Sequence, residues 1–270
     1  MNKTRVLLVQ YKIIYLDVKA NLAKFKRIIR KYKDLRPDLI VFPEYALTGP
    51  LYSNYFLAFD NNEFIFDELS LLAKKNNVNI IPGSFVRKEG SNMYNSTCLI
   101  HRDGQINGFY NKKCLWSSEK KFLNAVDDMK VFETDFGRIA IQICADLHSS
   151  SISDSYRSFK PEIIINLAMW SEEDMKAVRK KVPKNIELIQ TEYLSRARAI
   201  ENRSYIIFCN FADTLTVKAK TGRQYQETSI GNSLIVNPYG EVIARSSSKK
   251  EEIIFAELDL SKSHWSKYTY

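Results

Sequence analysis

Gly137–Ser150 reads GRIAIQICADLHSS. Ile139, Ile141 and Ile143 alternate with Ala140, Gln142 and Cys144, the period of two expected of a strand, and the apolar run stops at Cys144. Ala145, Asp146 and His148 follow, so the run delivers a thiol and two titratable side chains to its own end. A free cysteine is most often a buried, inert core residue. The competing reading is a nucleophile presented where a strand breaks, and chemistry elsewhere in the chain decides between the two.

Working outward, short β-type runs alternate with helical ones. RVLLVQY, DLIVFPE, VNIIPGSF, STCLIHR and QINGFYNK precede the stretch; EIIINLA, SYIIFCNF, NSLIVNP, EVIAR and EIIFAELD follow it. Helical spacing covers Val18–Tyr32, Glu63–Lys75 and Ile189–Asn202. Asp103-Gly104 and Tyr239-Gly240 fall between paired runs as hairpin turns. This mixture predicts an α/β fold with helices packed on sheets. No Gly/Ser/Pro linker, repeat or low-complexity tract divides the chain, which reads as one domain over residues 1–270. SEEDMKAVRKKVPKN (171–185) is polar, contains Pro183 and reads as a surface insertion or lid.

Composition narrows the function classes. The 270 residues are 45% hydrophobic and 26% charged, as in globular proteins with a sizeable core. No run approaches 18 uninterrupted apolar residues, and the N-terminal apolar run lacks a small-residue cleavage site, so a cytoplasmic protein without a membrane partner is expected. Cys98, Cys114, Cys144 and Cys209 form no C-x-x-C pair, and His101, His148 and His264 are scattered. That pattern offers neither a disulfide framework nor a metal site. The net charge of +9 raises nucleic acid as a partner. The densest basic cluster, KFKRIIRKYK (24–33), answers it: Leu22, Phe25, Ile29 and Tyr32 recur at helical spacing, leaving the cations as a solvated helix face. No nucleic-acid partner is expected.

Three strand ends carry reactive side chains. DLIVFPEY is apolar until Pro43, which cannot donate to a ladder, so Glu44 lies at the exit. GFYNKKCLW delivers Lys112 and Lys113, and RIAIQIC delivers Cys144. Strand exits are where crevices form in open α/β sheets, so the three can converge. A thiol attacks only as thiolate and needs a base. His148, four residues on, is one candidate if the intervening turn is helical. Glu44 is the other, because a partly dry carboxylate has a raised proton affinity and can return the proton to a leaving amine. A lysine supplies positive charge where an oxyanion develops.

Taken together, these residues resemble the nitrilase or carbon-nitrogen hydrolase superfamily. The resemblance lies in VFPEYALTG (41–49), YNKKCL (110–115), GRIAIQICAD (137–146), RARAIEN (196–202) with Asn210-Phe211 after it, and GNSLIVNPYGEVIA (231–244). Each motif is weak, but their shared order from about Arg5 to Asp259 is specific. The resemblance implies a four-layer-forming α-β-β-α sandwich of the nitrilase type, catalytic Glu44, Lys112 and Cys144, and no metal or organic cofactor. WSSEKKF (116–122) places Glu119 at the second glutamate common in such sites. Family members pair through helices on the nucleophile side, implying a homodimer or higher homo-oligomer.

The chain departs from the pattern at Cys114, where the family often has histidine, and at Ala145, where an aromatic is common. Asp146, as the second residue after the cysteine, is similar to the amidase-like branch. The resemblance therefore implies hydrolysis of a small-molecule amide or carbamoyl substrate. A nitrile substrate is the alternative, and acyl transfer to an amine comes third. Ala145, Met169 and Trp170 are candidate substrate-binding residues, and the aromatic stretch YSNYF (52–56) is a candidate pocket wall. The tryptophan and aromatic positions read equally as core.

Overall fold

The structure, a computed structural model, describes residues 3–265 apart from 53, 55–58, 60, 61, 117 and 219–221. Strands β1 (Thr4–Gln10), β2 (Leu39–Val41) and β3 (Asn79–Ile81) alternate with helices α1 (Val18–Tyr32) and α2 (Asn62–Asn76). β4 (Phe85–Glu89), β5 (Asn92–Thr97) and β6 (Tyr110–Asn111) come next. β7 (Val131–Thr134), β8 (Gly137–Ile143), α3 (Ser150–Tyr156), β9 (Ile163–Leu167), α4 (Ile186–Asn202) and β10 (Tyr205–Cys209) follow. The chain closes with a hairpin of β11 (Thr214–Lys218) and β12 (Gln224–Thr228), then β13 (Leu234–Val236), β14 (Val242–Arg245) and β15 (Glu252–Leu258).

Two main sheets form, ordered β15-β1-β2-β3 and β14-β13-β10-β9-β8-β7. β1, β2 and β3 run parallel in the first, as do β8, β9 and β10 in the second. Their strands are apolar on both faces because both faces are covered. Val6, Leu8, Leu39 and Val41 meet Ile139, Ile141, Ile163, Ile165 and Ile207 between the sheets. Leu7, Val9 and Ile40 face Leu22, Phe25 and Ile29 of α1 and Leu69 and Leu72 of α2. Ala140, Ile164 and Ile206 face Ile152 and Tyr156 of α3 and Ala199 of α4. The layers are therefore α-β-β-α, as expected. Among the described residues no helix is long and apolar enough to cross a membrane.

Asp17 caps α1 by accepting from the Ala20 N–H at 2.9 Å. Arg27, Arg30 and Lys31 are exposed, as the amphipathic reading expects. Lys24 departs from it: this lysine is buried, donates to the Lys12 carbonyl at 2.6 Å and pairs with Glu251. Other differences have local causes. α3 begins in a serine run without apolar periodicity, and Ser149 caps it by accepting from the Ile152 N–H. QINGFYNK is a strand only over Tyr110–Asn111, and β11–β12 has no counterpart among the expected strands.

Candidate active site

β2 stops at Val41, and Glu44 sits just past Pro43 in a turn that β3's following loop approaches closely. A Cβ on Gly83, whose φ is +85°, would lie 2.1 Å from the Pro43 carbonyl oxygen, so only glycine fits there. Lys112 follows β6 and is tied to β5 by its N–H, which donates to the Asn95 carbonyl at 2.8 Å. Cys144 follows β8 at φ +49°, left-handed geometry rare for a residue with a Cβ and costing roughly 1–3 kcal/mol. The chain thus reverses sharply into a short 3₁₀ turn, Cys144–His148, which takes Cys144 out of the strand as a half-buried residue with its thiol desolvated. The Asn166 side-chain amide holds the Cys144 carbonyl at 3.2 Å. The three exits belong to three different sheets.

Glu44 and Lys112 are 2% and 1% exposed, and Glu119 is buried beside them. Lys112 Nζ bridges the two carboxylates, 2.9 Å from Glu44 Oε1 and 2.8 Å from Glu119 Oε2. Asn95 Nδ2 lies 2.9 Å from Glu44 Oε1, Tyr45 Oη and Glu119 Oε1. Tyr45 Oη donates to Glu119 Oε1 at 2.6 Å, and the Trp116 N–H donates to Oε2 at 2.7 Å. The Met169 N–H donates to Glu44 Oε2 at 2.9 Å. Cys144 lies within electrostatic reach of Lys112, Glu44 and Glu119.

The two carboxylates diverge. Burial raises the Glu44 carboxyl, and although Lys112 opposes this, Glu119 repulsion adds to it. Burial acts on Glu119 in the same direction, but Lys112, Tyr45 and the Trp116 N–H outweigh it and hold that carboxyl low. Burial would lower the Lys112 ammonium, yet Glu44 and Glu119 reverse this and keep it charged. Burial pushes the Cys144 thiol well up, with Glu44 adding to the effect and Lys112 opposing it. The resting thiol therefore keeps its proton beside a carboxylate of raised proton affinity. Environments that push paired groups apart assign their roles: Glu44 is suited to moving protons and Glu119 to remaining an anion that holds Lys112.

The contacts of His148 are with other groups. Its ring is 4.9 Å from the Trp170 ring and bonds Gln190, and burial lowers its proton affinity. Lys113 Nζ turns outward to Asp127 at 2.9 Å. Ala145 is buried within the 3₁₀ turn. Met169 meets Glu44 through its backbone, whereas the Trp170 ring packs between His148 and Phe208, 4.9 and 6.0 Å from their centroids. Of the stretch 52–56, Ser53, Tyr55 and Phe56 lie outside the described residues; Tyr52 Oη donates to Glu227 at 2.9 Å. Segment 171–185 is pinned to β12: the Glu172 N–H donates to the Thr228 carbonyl at 2.9 Å, and the Thr228 N–H to Glu173 at 2.8 Å.

Sequence reasoning missed Asn95 and Tyr45, which complete the ion network. Asn95 stands one residue before the expected run STCLIHR, and nothing local marks it as buried. Tyr45 directly follows the glutamate of its motif. Asp174 was missed as well: its charge acts on both Glu44 and Cys144, and it offered no signal within a polar segment.

The carbon-nitrogen hydrolase family profile matches residues 5–267. The chain is 28% identical to the 2-oxoglutaramate amidase of Bacillus subtilis (strain 168), over 94% of this chain and 90% of that protein. It is 27% identical to a probable nitrilase of Schizosaccharomyces pombe, over 90% and 84%. Its fold is similar to that of a carbon-nitrogen hydrolase from Helicobacter pylori G27, with TM-score 0.84 and 22% identity, covering 97% of this chain and 90% of the other. A profile match across nearly the whole chain, on an α-β-β-α frame with these strand exits, shows that the chain belongs to the carbon-nitrogen hydrolase family.

Proposed function

We propose that the chain hydrolyses the C–N bond of a small amide or carbamoyl amine through an acyl-thioester on Cys144. The observation that carries this reading is the Lys112 ammonium held between Glu44 and Glu119 at 2.9 and 2.8 Å, beside the turn that presents the thiol. Amidase names among the relatives support the same substrate class.

Glu44 takes the thiol proton as sulfur adds to the carbonyl carbon. The carbonyl oxygen gains the negative charge, which Lys112 and the Ala145 N–H stabilise. Collapse breaks the C–N bond, and Glu44 gives its proton to the departing amine. Glu44 then deprotonates water, which adds to the thioester; the second collapse releases the acid and returns the proton to sulfur. Glu119 holds Lys112 in position, and Met169 and Ala145 border the substrate. The chain works as a homo-oligomer paired through the α3–α4 side, a reading supported by the exposure of Tyr193 and Ile200 on one face of α4.

Incubating the protein with a panel of small amides, carbamoyl amines and nitriles tests the reading by ammonia release and by intact mass. An acyl adduct on Cys144 with an amide or carbamoyl substrate supports it. Turnover of nitriles alone, or amine-dependent transfer without hydrolysis, would replace it.

A further inference from the structure

Two motif residues remain outside the chemistry just described, Tyr110 and Asp146. Both are buried, and they meet: Tyr110 Oη donates to Asp146 Oδ2 at 2.7 Å. The same oxygen accepts the Ile143 N–H at 2.9 Å, one residue before the nucleophile. Oδ1 accepts the Cys114 N–H at 2.7 Å and the Lys113 N–H at 3.2 Å, directly after Lys112. One carboxylate, fully removed from solvent, thus receives four donors, one from the nucleophile turn and three from the segment that carries the lysine.

We infer that Asp146 is the positioning residue that sets the spacing between the Lys112 ammonium and the Cys144 thiol. The need for such a group follows from the fold. Lys112 leaves the small β4–β5–β6 sheet and Cys144 leaves the six-stranded sheet, and no strand ladder joins β6 to β8. Cys144 also holds a left-handed conformation that β8 does not impose, and strained backbone persists only where its surroundings over-determine it. The Asp146 carboxylate bonds the peptide before that residue, and Asn166 bonds the carbonyl after it. Asp146 touches neither thiol nor ammonium. Its hydrogen bonds act through two backbone segments, so it is not a catalytic residue; its charge also reaches Lys112, and Asp146→Asn removes that charge while Tyr110→Phe leaves it in place.

The Tyr110 of the lysine motif and the Asp146 of the cysteine motif are then two halves of one clamp.

The inference rests on the proposed roles of Lys112 and Cys144, and the test separates the two. Asp146→Asn puts an NH₂ group among four donors; Tyr110→Phe removes one donor and leaves the carboxylate. Each variant is assayed for folding by circular dichroism, for alkylation of Cys144 by iodoacetamide from pH 5 to 10, and for kcat and KM on the best amide of the panel. In Asp146→Asn, kcat should fall about 100-fold, the scale of an ångström-sized misplacement, with KM within about threefold. Its alkylation profile should move to a different pH midpoint as the thiol loses its fixed distance from Glu44 and Lys112. Tyr110→Phe should shift the profile in the same direction and lower kcat roughly threefold to tenfold, with a melting temperature lowered by the lost buried hydrogen bond but a protein still fully folded at the assay temperature.

Folded variants with the parent's alkylation profile and kcat would overturn the inference. So would losses that track the unfolded fraction alone. If Asp146→Asn fails to fold, Tyr110→Phe decides by the same criteria. Should no panel substrate be turned over, the functional reading fails while the alkylation profiles still judge the clamp.

Discussion

Lys112→Met removes an ammonium that two buried carboxylates share, and the structure sets the size of the effect. With the charge gone, Glu44 and Glu119 share only neutral donors, chiefly the Asn95 amide that reaches both carboxylates. Both carboxylates reach the same Nζ, at 2.9 and 2.8 Å, so those oxygens stand within about 6 Å of each other; at an effective dielectric of about 20 they repel by about 3 kcal/mol, or roughly 2 pK units. Glu44, whose carboxyl is already raised by burial, takes up the proton, because Glu119 has two further donors in Tyr45 and the Trp116 N–H. The variant therefore loses its base as well as its oxyanion partner. Turnover should drop by more than the roughly 10²- to 10³-fold usual for an oxyanion donor. Alkylation of Cys144 near pH 7 should slow as well, since the thiolate has lost its neighbouring cation. Adding Glu119→Gln removes the repulsion, so the double variant should recover stability and part of the alkylation rate but not turnover. Steady-state ammonia release, alkylation followed by mass and thermal melting measure the three quantities. Turnover within threefold of the parent in Lys112→Met, or an inactive Lys113→Met beside it, would refute the reasoning.

Glu44→Gln keeps the shape but sets an NH₂ group against Lys112 or the Met169 N–H; hydrolysis and alkylation should slow about 10²- to 10⁴-fold, whereas His148→Ala should remain within a few-fold, and the reverse pattern would restore a Cys-His dyad. Cys144→Ala should abolish turnover in a folded protein while Cys98→Ala, Cys114→Ala and Cys209→Ala retain it, as ammonia release will show. The Asp174 carboxyl is pushed up to about 7, chiefly by burial and further by Glu227 and Glu44. Its folded proton affinity exceeds the unfolded one, so its contribution to stability is full at acid pH and is lost as pH rises through about 7. Asp174→Asn should therefore raise the melting temperature at pH 8 but not at pH 3.5, and should speed Cys144 alkylation at alkaline pH. No tight complex with DNA or RNA is expected, and a submicromolar one at physiological salt by fluorescence anisotropy would overturn the solvated-face reading.

Much of this protein is local and was therefore legible in its sequence. Apolar runs bounded by Pro43 or by turn residues define β1, β2, β8, β9 and β10 without reference to the rest of the chain. α1 and α4 declare themselves through helical spacing. Glu44, Lys112, Lys113 and Cys144 are candidates because each stands at the end of an expected strand run, and the resemblance to the family's motifs selects Glu44, Lys112 and Cys144 among them. Other features exist only once the chain is folded. Glu44 and Lys112 are 68 positions apart, and nothing between them states that their atoms lie 2.9 Å from each other. Asn95 and Tyr45 acquire meaning only as donors to Glu119. The motif resemblance points to Lys112 over Lys113, but only the fold supplies the physical difference, sending one to the carboxylates and the other to Asp127. The opposite proton affinities of Glu44 and Glu119, two identical side chains, are the clearest case. Burial and Coulomb interactions depend on distance in space, and that distance is set by three sheets meeting, which no local pattern of residues contains.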